Sequence, residues 1–153
     1  MPEDKPGSRL DIREALSPQD LETVFEIRRR VFVDEQRVPE EHERDATDER
    51  AVHVLALLDG KPAAAARLFI DAGDERTVWV GRLAVLPECR RSGVATGVIR
   101  YSIDWSRRHQ VRQVRLHAQE YVRELYRKLG FEEFGGIFME ENIPHLEMFL
   151  KLA

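Results

Sequence analysis

Leu10 and Ile12 alternate with polar residues behind a polar stretch holding two prolines. That pattern predicts a loose tail over residues 1–8 and a short first strand, opening one domain over residues 9–153. Ser17-Pro18-Gln19-Asp20 then supplies an N-cap, a proline at the first helical position and an acidic residue in the first turn. Leu21, Val24, Phe25, Val31 and Phe32 follow with helical spacing, with Arg28 to Arg30 near the end favoured by the helix dipole. Residues 34–50 are weakly periodic, contain Pro39 and read as a loop or a short irregular helix. Val52 to Leu58 and Ala63 to Ile70 are strand-like runs joined through Asp59-Gly60, a hairpin signal. A turn is expected over Asp71 to Arg76. Thr77 to Leu86 follows, apolar on both faces, as a covered central strand with Arg82 inside it.

The period turns helical again from Gly93 to about Arg108, with Val94, Val98 and Trp105 on one side. Gln113 to Ala118 reads as a strand. Glu120 to Leu129 reads as a short amphipathic helix stopped by Gly130. Phe131 to Met139 and His145 to Leu152 close the chain as strands. The order β-α-β-β-β-α-β-α-β-β predicts a single mixed α/β domain.

Composition adds boundaries. The 153 residues suit one domain with a sizeable core. No apolar run reaches the ~18 residues that crossing a bilayer as a helix needs, and the first ten residues lack the apolar core of a signal peptide. The single Cys89 cannot form an internal disulfide. Together these point to the cytoplasm. The five histidines show no ligand spacing, so no metal is expected.

The net charge of −4 is unevenly spread. Leu86 to Lys128 holds ten basic and four acidic residues, whereas Asp34 to Arg50 holds eight acidic residues and three arginines. A polyanion bound at one place and a cation at another fit that asymmetry, and so do solvated helix faces.

The informative segment runs from the central strand into the following helix, Val78 to Ala95. Its strand ends in a basic, glycine-containing loop, and a helix begins behind it. Free N–H groups at a helix start attract anions, and Arg90 and Arg91 add charged donors. The segment is neither a Walker loop nor GxGxxG.

Arg90-x-x-Gly93-x-Ala95 after Leu83-Ala84-Val85 resembles the pyrophosphate-binding signature of the GNAT acyl-CoA N-acyltransferase superfamily. Leu125-Tyr126-Arg127-Lys128-Leu129-Gly130-Phe131 resembles that family's tyrosine-bearing helix. Val31 to Gln36, His53, Gly81-Arg82, Ala118-Gln119 and Ile143-Pro144-His145 are similar to its ElaA-like branch. The resemblance implies a GNAT fold whose sheet splays between strands 4 and 5, and acetyl-CoA as cofactor. It implies coenzyme A contacts at Leu83, Ala84, Val85, Arg90, Arg91, Ser92, Gly93, Val94, Ala95 and Tyr126. Backbone N–H groups near Ala84 and Val85 would polarise the thioester carbonyl, and Tyr126 would protonate the departing thiolate. Transfer would be direct, so Cys89 is a loop filler, although two neighbouring arginines can lower a thiol pKa.

The acceptor is expected to be a primary amine of a small molecule. Many relatives carry a glutamate base on the central strand where this chain has Arg82, so Glu35, His53, Gln119 and His145 are the candidates for base or substrate contact. Arg82 is expected to pair with Asp45 or Asp48, or to hold a substrate carboxylate. The acidic segment 34–50 is expected to border the acceptor site and favour a cationic amine. A protein N-acetyltransferase and a non-catalytic acyl-CoA-binding module are the alternatives. A nucleic-acid binder is disfavoured because no RNA-binding aromatic motif is present. Terminal strands of this fold can pair between subunits, which leaves a homodimer open.

Overall fold

Among the described residues, seven strands form one mixed sheet in the order β1-β2-β3-β4-β5-β7-β6. The computed structural model describes residues 8–152, so the tail expected over residues 1–8 lies, apart from Ser8, outside the described residues. The elements are β1 (Leu10–Glu14), α1 (Pro18–Arg28), α2 (Glu40–Glu43), β2 (Val52–Leu58), β3 (Lys61–Asp71), β4 (Asp74–Val85), α3 (Val94–Arg108), β5 (Gln113–Gln119), α4 (Arg123–Lys128), β6 (Glu132–Glu140) and β7 (Ile143–Lys151). The chain divides into a first unit, up to Phe69 with Arg82–Ser102, and a second, Ile70–Gly81 with Ile103 onward.

In the first unit, β1 and β3 each pair antiparallel with β2. Ala63 to Ala66, Val54, Leu55 and Ala56 are at most 1% exposed, so these strands are covered on both faces. Val24 and Ile27 of α1 and Val94, Val98 and Ile99 of α3 supply further core. Gly97 lets α3 approach β1 closely, because a Cβ there would lie 2.8 Å from Leu10 Cδ2. Ser17 caps α1 as expected, its Oγ accepting from the Asp20 amide at 3.0 Å.

The helical run expected through Phe32 changes character at Arg29, where Arg29–Glu35 continues as a π-helix. Gln36 N–H accordingly reaches the Val31 carbonyl, 3.0 Å away. Val31 and Phe32 are buried within this wider winding.

In the second unit, β5 pairs parallel with β4 and antiparallel with β7, which pairs with β6. Val114, Leu116, Ala118, Leu146, Met148 and Phe131 form its core. The turn before β4 is tighter than the expected Asp71 to Arg76. Asp71 accepts from the Gly73 amide at 2.9 Å and from Trp79 Nε1 at 2.8 Å, and the strand restarts at Asp74. The helix expected over Glu120 to Leu129 is a 3₁₀ turn, Glu120–Val122, followed by α4. Gly130 ends it at φ 99°.

Candidate active site

The β4–β5 ladder covers Thr77–Val80 against Gln113–Leu116 and ends there. Gly81 to Val85 lie beyond its last pair. Two residues on, Arg82 adopts the left-handed conformation at φ 50°, which interrupts strand alternation as a bulged residue does. Val78 and Val80 before it and Ala84 after it are buried.

Pro87–Cys89 forms a 3₁₀ turn after β4. Left-handed residues Arg91 (φ 62°) and Gly93 (φ 78°) then reverse the chain into α3. The first bond of that helix runs from Gly97 N–H to the Gly93 carbonyl, 3.0 Å away. The amides of Val94, Ala95 and Thr96 thus have no intrahelical acceptor and point out of the helix start. Arg91 is exposed. Ser92 Oγ donates to the Cys89 carbonyl at 2.5 Å and braces the turn. This set of amides and cations fits a pyrophosphate.

Arg90 is held in two directions. Its Nε donates to the Val85 carbonyl at 3.0 Å, and its two terminal nitrogens reach Glu35 at 2.8 and 2.7 Å. The Arg90 hydrogen bonds hold the Glu35 carboxyl below the usual carboxylate range. Cys89 goes the other way from the expectation set by its neighbours. Burial and then Glu88 raise its thiol pKa, outweighing Arg30, so the thiol stays protonated.

Three arginines, from α1, β3 and β4, hold the acidic segment. Arg28, fully buried, donates from Nε to Glu43 at 2.9 Å, from Nη1 to Asp48 at 2.7 Å and from Nη2 to the Glu43 carbonyl at 3.0 Å. Arg67 reaches Asp45 and Asp48 at 2.7 and 2.9 Å. Arg82 pairs with Asp45 and Glu43, both at 3.3 Å, and donates to the Glu43 carbonyl at 3.0 Å. Of the two expected partners, Asp45 is therefore observed, while Asp48 is taken by Arg28 and Arg67. Asp34 and Glu35 also have arginine partners, Arg29 and Arg90. Five of the eight acids in the segment are thus matched, so its sequence charge overstates its surface charge.

His53 lies against the same network. Its Nε2 is 2.9 Å from the Asp48 carbonyl, which assigns the proton to Nε2. Its Nδ1 is buried and has no hydrogen-bond partner, as is Nε of Arg67, its cross-strand neighbour.

In the second unit, Tyr126 is 5% exposed and edge-on to Phe131, with ring centroids 5.7 Å apart. Burial, and to a smaller extent Tyr121, pushes its phenol pKa up, so it stays protonated at neutral pH. His145 Nδ1 lies 2.6 Å from the Ile143 carbonyl, and Gln119 pairs with His145 across β5 and β7.

Sequence reasoning missed His117. Its Nδ1 is 2.9 Å from Glu140, and its ring stands edge-on to Trp79 and Phe138. The signal was the polar alternation Arg115, His117, Gln119 along β5, but its partners arise from register with β7 and β6. The Glu140 hydrogen bond raises the His117 pKa, outweighing burial. A raised folded-state pKa stabilises fully below the unfolded value of ~6.5 and is lost as pH rises through the folded value. An NMR titration should place His117 above an ordinary histidine, and Glu140→Gln should bring it down. An identical titration in both proteins would refute the pairing.

The family model for the acetyltransferase (GNAT) family matches residues 20–131. The chain belongs to the GNAT acetyltransferase family. A UPF0039 protein from Schizosaccharomyces pombe is 32% identical over 141 residues, covering 90% of this chain and 92% of that one. The Escherichia coli ElaA crystal structure superposes with a TM-score of 0.82 at 24% identity, covering 92% of this chain and 99% of ElaA. A Bacillus subtilis acetyltransferase solved in complex with CoA has a TM-score of 0.69 at 15% identity, covering 95% of this chain and all of that one. The two solved structures share the fold over nearly the whole chain. Among the described residues, no helix is long and apolar enough to cross a membrane.

Proposed function

We propose that this GNAT chain is an N-acetyltransferase that moves an acetyl group from acetyl-CoA directly to the primary amine of a small molecule. The observation that carries this is the Arg90–Ala95 loop, where left-handed Arg91 and Gly93 turn the chain so that helix-start amides and exposed Arg91 face outward together. Bound acetyl-CoA would supply an activated thioester. Arg91, Ser92, Gly93, Val94 and Ala95 would hold its pyrophosphate, with Arg90 fixing the loop to Val85 and Glu35. Leu83 and Ala84 line its path, and the Val85 amide meets the charge developing on the thioester oxygen, a contribution of ~10²–10³ in rate.

Tyr126 gives its proton to the departing sulfur. The raised phenol pKa keeps that proton in place between turnovers. On the acceptor side, the attacking ammonium must lose a proton. His53 is the best-prepared base of the candidates, because its Nε2 holds the proton and its Nδ1 lone pair is unused. Glu35, by contrast, is committed to Arg90. Arg82, His145 and Gln119 would contact the acceptor.

The test is incubation with acetyl-CoA and a panel of polyamines, amino sugars, aminoglycosides and peptide N-termini, read by mass spectrometry. Acetylation of one small amine class is expected. Acetylation confined to peptides would make the chain a protein N-acetyltransferase, and acetyl-CoA binding without any product would make it a non-catalytic binding module.

A further inference from the structure

A cavity of about 560 Å³ opens beside α1, the π-helical segment and α2, all within the first unit. That is a ligand-sized space, since small-molecule sites run from ~300 to ~1,000 Å³. Leu21, Phe25 and Val33 are its apolar lining, beside the acids Glu22, Glu26, Glu40 and Glu43 and the cations Arg29 and Arg44. Glu26 is engaged by Arg29 at 2.6 Å. Glu22 and Glu40 are exposed.

Arg44 is the informative residue. Its guanidinium carbon lies 3.6 Å from the centre of the Phe25 ring, and the side chain is exposed. The closeness matters because a cation over an aromatic face is attracted by the ring quadrupole. An exposed arginine has water available all around it, yet this one lies on the ring. The protein thus displays, with its own side chain, the group that the Phe25 ring favours.

We infer that this cavity binds an organic cation, an alkylammonium or guanidinium group, which takes the place of Arg44 on the Phe25 face with its charge met by Glu22 and Glu40. The ring supplies the flat apolar contact, and the two carboxylates supply the long-range attraction that draws a cation to the cavity mouth. Arg44 is the internal competitor for the same position. Removing it therefore strengthens binding, the opposite of what removing an ordinary contact does.

The experiment is calorimetry without acetyl-CoA, using agmatine and spermidine as probes and 1,4-butanediol as the uncharged control. Wild type should bind the two cations and not the diol. Arg44→Ala should bind them about twofold to fivefold tighter, the range a cation–π contact of ~0.5–1 kcal/mol converts to. Phe25→Leu should weaken them by a similar factor, and Glu22→Gln with Glu40→Gln should flatten the salt dependence. Circular dichroism checks that Phe25→Leu is folded, and Arg44→Ala, at an exposed position, tests the inference independently of it. Equal or weaker cation binding by Arg44→Ala, or equal binding of the diol, would overturn the inference.

Because acetyl-CoA is absent, this outcome is separate from that of the acetyl-transfer reading. Adding acetyl-CoA then distinguishes the source of the cation: a bound amine that becomes acetylated is the acceptor, and one that stays unmodified is an effector at a separate site.

Discussion

Arg28→Met should lower the folding free energy by about 3–5 kcal/mol at pH 7, read from the urea midpoint and slope. Arg28 is fully buried, and its guanidinium serves Glu43 and Asp48, whose side chains are 4% and 8% exposed. Methionine keeps most of the volume, so the loss isolates the charge. Glu43 then retains Arg82 at 3.3 Å, and Asp48 retains Arg67 at 2.9 Å and the Asp45 amide at 3.1 Å. Burial opposes ionisation of Asp48, but the hydrogen bonds from Arg28, from the Asp45 amide and from Arg67 outweigh it and hold its carboxyl well below the ordinary range. A depressed folded-state pKa stabilises above the unfolded value of ~3.9 and is lost as pH falls through the folded value. The gap between wild type and Arg28→Met should therefore narrow as the pH falls below ~3.9. Glu26→Ala, which breaks an exposed pair with Arg29, should cost under ~1 kcal/mol. Equal losses from Arg28→Met and Glu26→Ala would show that the buried network is not what anchors the acidic segment.

Tyr126→Phe should reduce single-turnover acetyl transfer by ~10²–10⁴ while leaving acetyl-CoA affinity within about twofold. Phenylalanine preserves the ring that packs edge-on against Phe131. Removal of the hydroxyl therefore leaves α4 in place and deletes one proton donor. Wild-type transfer by this variant would remove Tyr126 from the general-acid role.

The periodic elements were legible because their causes are local. Ser17-Pro18 starts α1, Asp59-Gly60 turns the hairpin, Gly130 stops α4, and the apolar run through Val78 and Val80 marks a central strand. The strand-to-helix turn at 90–95 was legible for the same reason, since Gly93 at φ 78° marks it locally.

The acidic segment was not. Its eight carboxylates look like a negative surface until Arg28, Arg67, Arg82 and Arg90, distant in sequence, are brought against four of them. The pairing of Arg82 with Asp45 was legible, whereas its left-handed backbone and its contact with Glu43 become visible only in three dimensions. His117 depends on the register among three strands, which no single stretch of sequence encodes. The contact between Phe25 of α1 and Arg44 at the end of α2 is likewise encoded in no single stretch.

The central claim is direct acetyl transfer from acetyl-CoA, and rapid mixing tests it most directly. The protein is loaded with acetyl-CoA labelled in the acetyl group, mixed with an amine from the reactive class, and quenched through a single turnover. Label should pass to the amine as free coenzyme A thiol appears, at equal rates and with no labelled protein at any time. Label that first accumulates on the protein, or thiol release that proceeds equally without amine, would contradict direct transfer.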